Sequence, residues 1–213
     1  MIIGISGQAG SGKDTAADIL VKRHRFCKIA LADPMKRAAA EWFGWDKEIL
    51  WGPSEKRSQE DSRAPGLNAR KVLQLLGTQV GRECYKNVWV DYAMDVAKQL
   101  LSDPYLMYTP DEGVVDVIEQ TSMGEWRRDD APKHSYKGVV LSDCRFCNEY
   151  EAIRKVGGKL LRIKRLGSGL DGVAATHASE AEQQSVSDSE FDYVIDNNGS
   201  IEELQAKLAE IMH

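Results

Sequence analysis

The sequence predicts an α/β fold: a five-stranded, mainly parallel sheet with helices on both faces. Short apolar runs of strand type stand at 2–5, 28–32, 139–142, 160–164 and 191–195. Four of them are followed closely by stretches of helical period, the alternation that builds parallel sheets. The first run leads directly into a glycine-rich loop and then into an amphipathic helix.

The helices expected between these strands cover 13–24, 34–44, 68–83, 87–101, 147–156, 178–185 and 201–212. The last has a start signal, a capping box of Ser200 and Glu203 just after Asn198-Gly199. Tyr105 to Tyr108 and Val114 to Val117 flank Pro110-Asp111-Glu112-Gly113 and read as a hairpin. A polar stretch, 119–137, follows and carries Arg127, Arg128 and Lys133. Residues 52–66 and 166–176 are rich in Gly, Pro, Ser and charge and read as mobile loops over a fixed sheet.

With 213 residues, 42% hydrophobic and 29% charged, the chain suits one soluble globular domain. A domain of this size buries roughly 70–75% of its unfolded surface and needs no disulfide or metal to stand. No apolar run approaches the ~20 residues that span a bilayer. The N-terminus lacks a basic leader followed by a long apolar stretch, so the expected location is cytoplasmic. The four cysteines, at 27, 84, 144 and 147, are expected as thiols. A net charge of −5 argues against bulk electrostatic binding of a nucleic acid polymer. Any phosphate chemistry is therefore local.

The loop Gly7-Gln-Ala-Gly10-Ser11-Gly12-Lys13 matches G-x-x-x-x-G-K between a strand and a helix, a P-loop. Glycines let successive backbone N–H groups curl round phosphate oxygens, the helix terminus adds positive potential, and Lys13 reaches the β- and γ-phosphates. The Ser or Thr that usually follows the lysine is replaced by Asp14, with Thr15 next. Either residue can hold Mg²⁺, Asp14 through water.

Ligands of open α/β sheets bind beyond the carboxyl ends of the strands. There the sequence places Asp33-Pro34-Met35-Lys36, Asp143-Cys-Arg145-Phe-Cys-Asn148-Glu149, Lys164-Arg165 with the loop to His177 and Ser179-Glu180, and Asp196-Asn-Asn198-Gly199. Asp143 fits a Walker-B ligand of Mg²⁺; a helix N-cap is its other reading, and Asn148 is a second cap candidate. Along 68–83, Val72, Leu75, Leu76 and Val80 form the expected buried stripe. Arg70, Gln74, Thr78 and Gly81 form a row that suits a ligand, Arg for a phosphate and Gln for a base edge. Cys144-x-x-Cys147 has no second pair at zinc spacing and is read as structural. Trp42, Trp45 and Trp51 are read as packing residues.

Taken together, these residues resemble the deoxynucleoside monophosphate kinases typical of bacteriophages, within the P-loop nucleoside-monophosphate-kinase-like fold. The resemblance rests on Ser6-Gly7…Ser11-Gly12-Lys13-Asp14-Thr15, Ala32-Asp33-Pro34-Met35-Lys36, Arg70…Leu73-Gln74…Leu76-Gly77-Thr78…Gly81-Arg82, and Trp89. It continues through Ser142-Asp143…Arg145-Phe146…Asn148-Glu149, Gly157-Gly158, His177…Ser179-Glu180 and Asp192…Asn198-Gly199. The Gly-Lys-Asp variant is itself a mark of that family and of phosphomevalonate kinase.

The resemblance implies transfer of the γ-phosphoryl of ATP to a deoxynucleoside monophosphate. It implies a single domain, with a core of about 1–33 and 138–213, a substrate-binding helical insertion of about 34–137 and a lid of about 165–180. Lys13 and the loop would hold ATP, with Asp14, Thr15 and Asp143 round Mg²⁺. Lys36, Arg70, Gln74 and Arg145 would bind the monophosphate, with Thr78, Asp33 and Asn148 in support. Arg165, with Lys164, would close over the transferring group, and Asn198-Gly199 would cradle adenine. Another small-molecule kinase of this fold, for phosphomevalonate or dephospho-coenzyme A, and a non-catalytic nucleotide-binding module are the competing readings. For 101–137 two roles stand side by side: its basic residues suit closure over the substrate, its hairpin a contact within a homodimer.

Overall fold

The computed structural model describes residues 1–117, 133–168 and 185–212. Its centre is a five-stranded sheet of β1 (Ile2–Ser6), β2 (Phe26–Ala30), β5 (Gly138–Ser142), β6 (Lys159–Lys164) and β7 (Tyr193–Asp196), in the order β2-β5-β1-β6-β7. Every pairing in it is parallel. A separate antiparallel hairpin joins β3 (Leu106–Thr109) to β4 (Gly113–Asp116), where the tyrosine and valine runs predict it.

Strand alternation sends side chains to two cores. On one face Ile3, Ile5, Val140, Leu161, Ile163 and Ile195 pack against α1 (Lys13–His24) and α7 (Ile201–Ile211). On the other, Ile29, Val139, Leu141 and Leu160 meet α5 (Val88–Ser102) and α6 (Cys147–Lys155). The predicted capping box of α7 is half realised, the Ser200 hydroxyl accepting from the Glu203 N–H at 3.3 Å. A third, smaller cluster of Ala39, Trp45, Leu50 and Ala69 unites α2 (Asp33–Phe43), α3 (Lys47–Trp51) and α4 (Ala69–Leu75). Val90, Ala93, Val96, Ala97 and Leu100 of α5 belong to the main core, because that helix is apolar along a whole face.

Four expectations need correction. α3, capped by Asp46 accepting from the Ile49 N–H, is a helix absent from the expected set, which passes from 34–44 to 68–83. The loop 52–66 is tied down rather than loose: Arg57 donates to Leu50 O and Gly52 O, and Asp61 accepts from the Trp45 indole. Helix 68–83 ends its α geometry at Leu75 and continues as a π turn over Leu76–Arg82. The wider turn breaks the 3.6-residue period, so Leu75 and Val80 of the expected buried stripe stand 39% and 52% exposed. Trp42 is likewise exposed rather than packed. The expected helix 178–185 begins outside the described residues.

Candidate active site

The P-loop takes its shape from positive-φ glycines, Gly10 at 77° and Gly12 at 95°, the latter ending the loop at the start of α1. A Cβ on residue 12 would meet the Asn197 side chain at 2.3 Å. That asparagine, buried after β7, donates to Ser11 O at 2.8 Å and so ties the loop to the far strand. No side chain caps α1, which leaves its first-turn N–H groups for a ligand. Among the described residues the buried Ser11 hydroxyl has no hydrogen-bond partner, in a loop built for anion oxygens.

Lys13 is buried, its ammonium 3.5 Å from Asp143 Oδ1. Asp143, at the end of β5, has a left-handed backbone (φ 68°), the kind of strain that collects at functional sites. It also accepts from Arg145 Nε at 2.9 Å. It is not a helix cap. Glu149 turns back to accept from the N–H groups of Arg145 and Phe146 and starts α6 itself. Burial pushes the Glu149 carboxyl up, opposed by those N–H groups and by Arg82, whose guanidinium pairs with it and lies 3.7 Å over the Phe146 ring. Asn148 is committed inside the protein, donating to Lys86 O and Asn87 Oδ1, so it braces α6 instead of reaching a substrate.

A second group of cations forms on the insertion. Lys36 lies 3.7 Å from Asp33 and 5.6 Å from the centre of the Trp51 ring. Arg70 donates to the Ser58 hydroxyl at 2.7 Å and to Ser54 O at 3.2 Å. Arg57, which the sequence reading leaves within a loop, joins them. Burial and then the charge of Arg70 hold the Arg57 guanidinium below its ordinary pKa. Burial lowers the pKa of Lys36, Asp33 opposes that, and Arg57 adds to it. Asp14, exposed at the start of α1, pairs with Lys28 at 3.5 Å, and its charge also favours the charged forms of Lys36 and Arg57. Among the described residues neither Arg57 nor Arg70 has a carboxylate partner within ion-pair distance; backbone and hydroxyl oxygens anchor them. Gln74 is exposed one turn beyond Arg70, and Thr78 is half-buried in the π turn.

Asp33 sits differently from its expected place beside a substrate. It is 2% exposed and accepts from Ala30 N, Trp51 Nε1 and the Tyr108 hydroxyl. On the other side of the P-loop, a pocket of about 260 Å³ is lined by Gly7, Gln8, Ile163, Arg165, Leu166 and Asn198 among others. Asn198 accepts from the Leu166 N–H at 2.8 Å. Gly199 lies beside the Glu203 carboxylate, which would meet a Cβ at 1.9 Å. Lys164, a lid candidate, is paired with Asp188 at 2.7 Å. Arg165 is exposed at the pocket rim beside Leu166 and Ser168, and 169–180 of the expected lid, with His177, Ser179 and Glu180, lie outside the described residues, as do Arg127 and Arg128.

The sheet therefore brings together Gly7, Gly10, Ser11, Gly12, Lys13, Asp143 and Arg145, and Lys36, Arg57 and Arg70 form a separate cationic group. Arg57 escapes sequence reading because a basic residue in a charged loop looks solvated, and Asn197 because it is overshadowed by Asn198-Gly199. Cys144 is buried, with burial raising its pKa, while Cys147 is exposed, so the two do not face one ligand. Among the described residues no three His, Cys, Asp or Glu side chains gather round a common point, and no helix is long and apolar enough to cross a membrane.

No protein-family model matches the chain. It is 33% identical over 208 residues to a protein of Acanthamoeba polyphaga mimivirus named "Putative deoxynucleotide monophosphate kinase", covering 98% of this chain and 94% of that one. Among solved structures it aligns with shikimate kinase from Aquifex aeolicus (TM-score 0.48, 13% identity, 100% and 96% of the two chains). It also aligns with dephospho-CoA kinase from Campylobacter jejuni (TM-score 0.41, 13% identity, 99% and 95%). The likeness to the viral protein runs nearly end to end: the chain belongs to the deoxynucleotide monophosphate kinase family and is a phosphotransferase.

Proposed function

We propose that the chain transfers the γ-phosphoryl group of ATP to the 5′-phosphate of a deoxynucleoside monophosphate, yielding ADP and the diphosphate. The observation that carries this reading is the group of Lys36, Arg57 and Arg70. Like charges held together cost free energy unless an anion joins them. Two guanidiniums anchored by neutral oxygens keep their outer N–H groups for a phosphate, the bidentate pairing arginine makes best. The viral relative's name points to the same acceptor class.

The nucleophile is already an ionised phosphate oxygen, so no general base is required. That oxygen attacks the γ-phosphorus, the bond from γ-phosphorus to the bridging oxygen breaks, and ADP leaves with the electron pair. Catalysis is then positioning and charge neutralisation. Lys13 and the P-loop amides hold the β- and γ-phosphates. Arg145, once an ATP phosphate draws it from Asp143, neutralises charge on the transferring group, with Arg165 at the rim. The pocket beside Asn198 and Leu166 takes the ATP base.

Asp143 lies 3.5 Å from the Lys13 ammonium, and Asp14 and Thr15 follow that lysine in the chain. These hard oxygen donors fit Mg²⁺, which takes one or two carboxylates, substrate phosphates and water. When bound, the ion supplies positive charge to the β- and γ-oxygens.

The test is ADP formation from Mg·ATP with each deoxynucleoside monophosphate, each ribonucleoside monophosphate, phosphomevalonate and dephospho-coenzyme A offered separately. Turnover with one or more deoxynucleotides is the expected result. Turnover with phosphomevalonate or dephospho-coenzyme A alone, or with no acceptor, overturns the assignment.

A further inference from the structure

We propose that the β3–β4 hairpin sets the acceptor-phosphate site through Tyr108, whose hydroxyl holds the Asp33 carboxylate off Lys36 and leaves the lysine free to bind the monophosphate. This rests on the acceptor reading of Lys36 above. Tyr108 is a positioning residue: it is buried and touches the site only through Asp33.

The geometry is that of a restrained ion pair. Asp33 Oδ1 accepts from Trp51 Nε1 at 3.0 Å, and Oδ2 accepts from the Ala30 N–H at 3.2 Å and from the Tyr108 hydroxyl at 3.0 Å. Two donors hold Oδ2 and one holds Oδ1, which limits the turn of the carboxylate, and the Lys36 ammonium lies 3.7 Å from Oδ1, beyond hydrogen-bond length. A carboxylate at that range favours the charged lysine against burial.

The hairpin is docked well enough to act in this way. Arg37 of α2 donates to Pro110 O at 2.8 Å and to the Tyr92 hydroxyl of α5 at 2.6 Å, and Lys47 of α3 pairs with Asp111. The hairpin thus joins α2, α3 and α5 where Lys36 emerges. This gives the described part of 101–137 a role that needs neither closure over the substrate nor a second copy of the chain.

Tyr108→Phe keeps the ring and removes the donor. Asp33 is then freer to turn, its Oδ1 closes on Lys36 across the 3.7 Å gap, and a tight internal pair competes with the incoming phosphate. The expected result is an acceptor KM raised about five- to tenfold, the loss of one hydrogen bond to a charged group, with the KM for ATP unchanged. Tyr92→Phe is the control. It removes a hydrogen bond from the same docking surface, leaves the shell of Asp33 intact, and is expected to keep both KM values. An unchanged or lowered acceptor KM in Tyr108→Phe overturns the proposal, as does an equal rise in Tyr92→Phe. A second variant, Trp51→Phe, removes the donor on Oδ1 and is expected to raise the acceptor KM in the same direction; no rise there also overturns it. Wild-type enzyme without turnover on any deoxynucleotide would instead remove the acceptor reading, a result distinct from these.

Discussion

In the proposed reaction Arg57 and Arg70 take the acceptor phosphate and Lys13 the phosphates of ATP. Both lie on the insertion, anchored to Ser54, Ser58, Leu50 and Gly52, whereas Lys13 lies at the sheet beside Asp143. Replacing either arginine by alanine is expected to raise the acceptor KM about 10- to 100-fold, the worth of a charge-assisted phosphate contact, while ATP affinity measured by calorimetry stays near its original value. Equal loss of ATP affinity would show that the cations share one site. Lys13→Ala is expected to lower kcat by at least about 10²–10³-fold, since its charge acts on the group being transferred. Asn197 makes a separate prediction. Its amide is the buried donor to Ser11 O, so Asn197→Ala leaves that carbonyl unpaired and lets the loop relax. The KM for ATP should rise about tenfold while the acceptor KM holds; a rise confined to the acceptor would place Asn197 in the wrong half.

At the scale of elements, the π turn Leu76–Arg82 is the feature most dependent on residues outside itself. The Trp89 indole donates to Gly77 O at 2.9 Å, and its ring lies 2.3 Å from where a Cβ on residue 81 would stand. Gly81→Ala therefore forces the ring or the turn to move, at a cost of about 1–3 kcal/mol. Urea denaturation should show a lower midpoint, and an unchanged midpoint would mean that Trp89 is not the wedge. The same turn explains which elements the sequence discloses. Strands, the hairpin and α7 carry their signals locally: apolar runs, a turn closed at Gly113, a serine cap. The π turn carries none, because the periodic row of Arg70, Gln74, Thr78 and Gly81 continues unbroken while its cause, Trp89, lies in the next helix. α3 is five residues long and shows no period. Polar residues at strand ends are legible as a cluster but not by direction. Asp33 and Asn148 are in that cluster and turn inward, because buried donors at Trp51, Tyr108 and Arg82 claim them.

For the molecule as a whole, the strand order β2-β5-β1-β6-β7 places β1 centrally, flanked by β5 and β6, and the P-loop leaves from that switch point. The pocket beside the P-loop is closed by ion pairs as well as by packing. Arg162 and Lys164 of β6 both reach Asp188, at 2.8 and 2.7 Å, joining the strand to the turn before β7. Hydrogen bonds from Lys164 and then Arg162 hold the Asp188 carboxyl below its ordinary value of 3.8, and Lys47 does the same for Asp111. A carboxyl whose pKa is depressed by folding adds stability above its unfolded value and loses it as the pH falls through the folded one. Thermal stability should therefore hold across neutral pH and fall once the pH drops below 3.8, as these groups take up protons. Asp188→Asn removes one of them permanently. Its Tm should lie below that of the wild type at about pH 7, and the gap should close as the wild type protonates Asp188. Calorimetric scans of the two proteins across that range decide the matter, for a gap that persists in acid would mean that Asp188 contributes through its shape and hydrogen bonds and not through its charge.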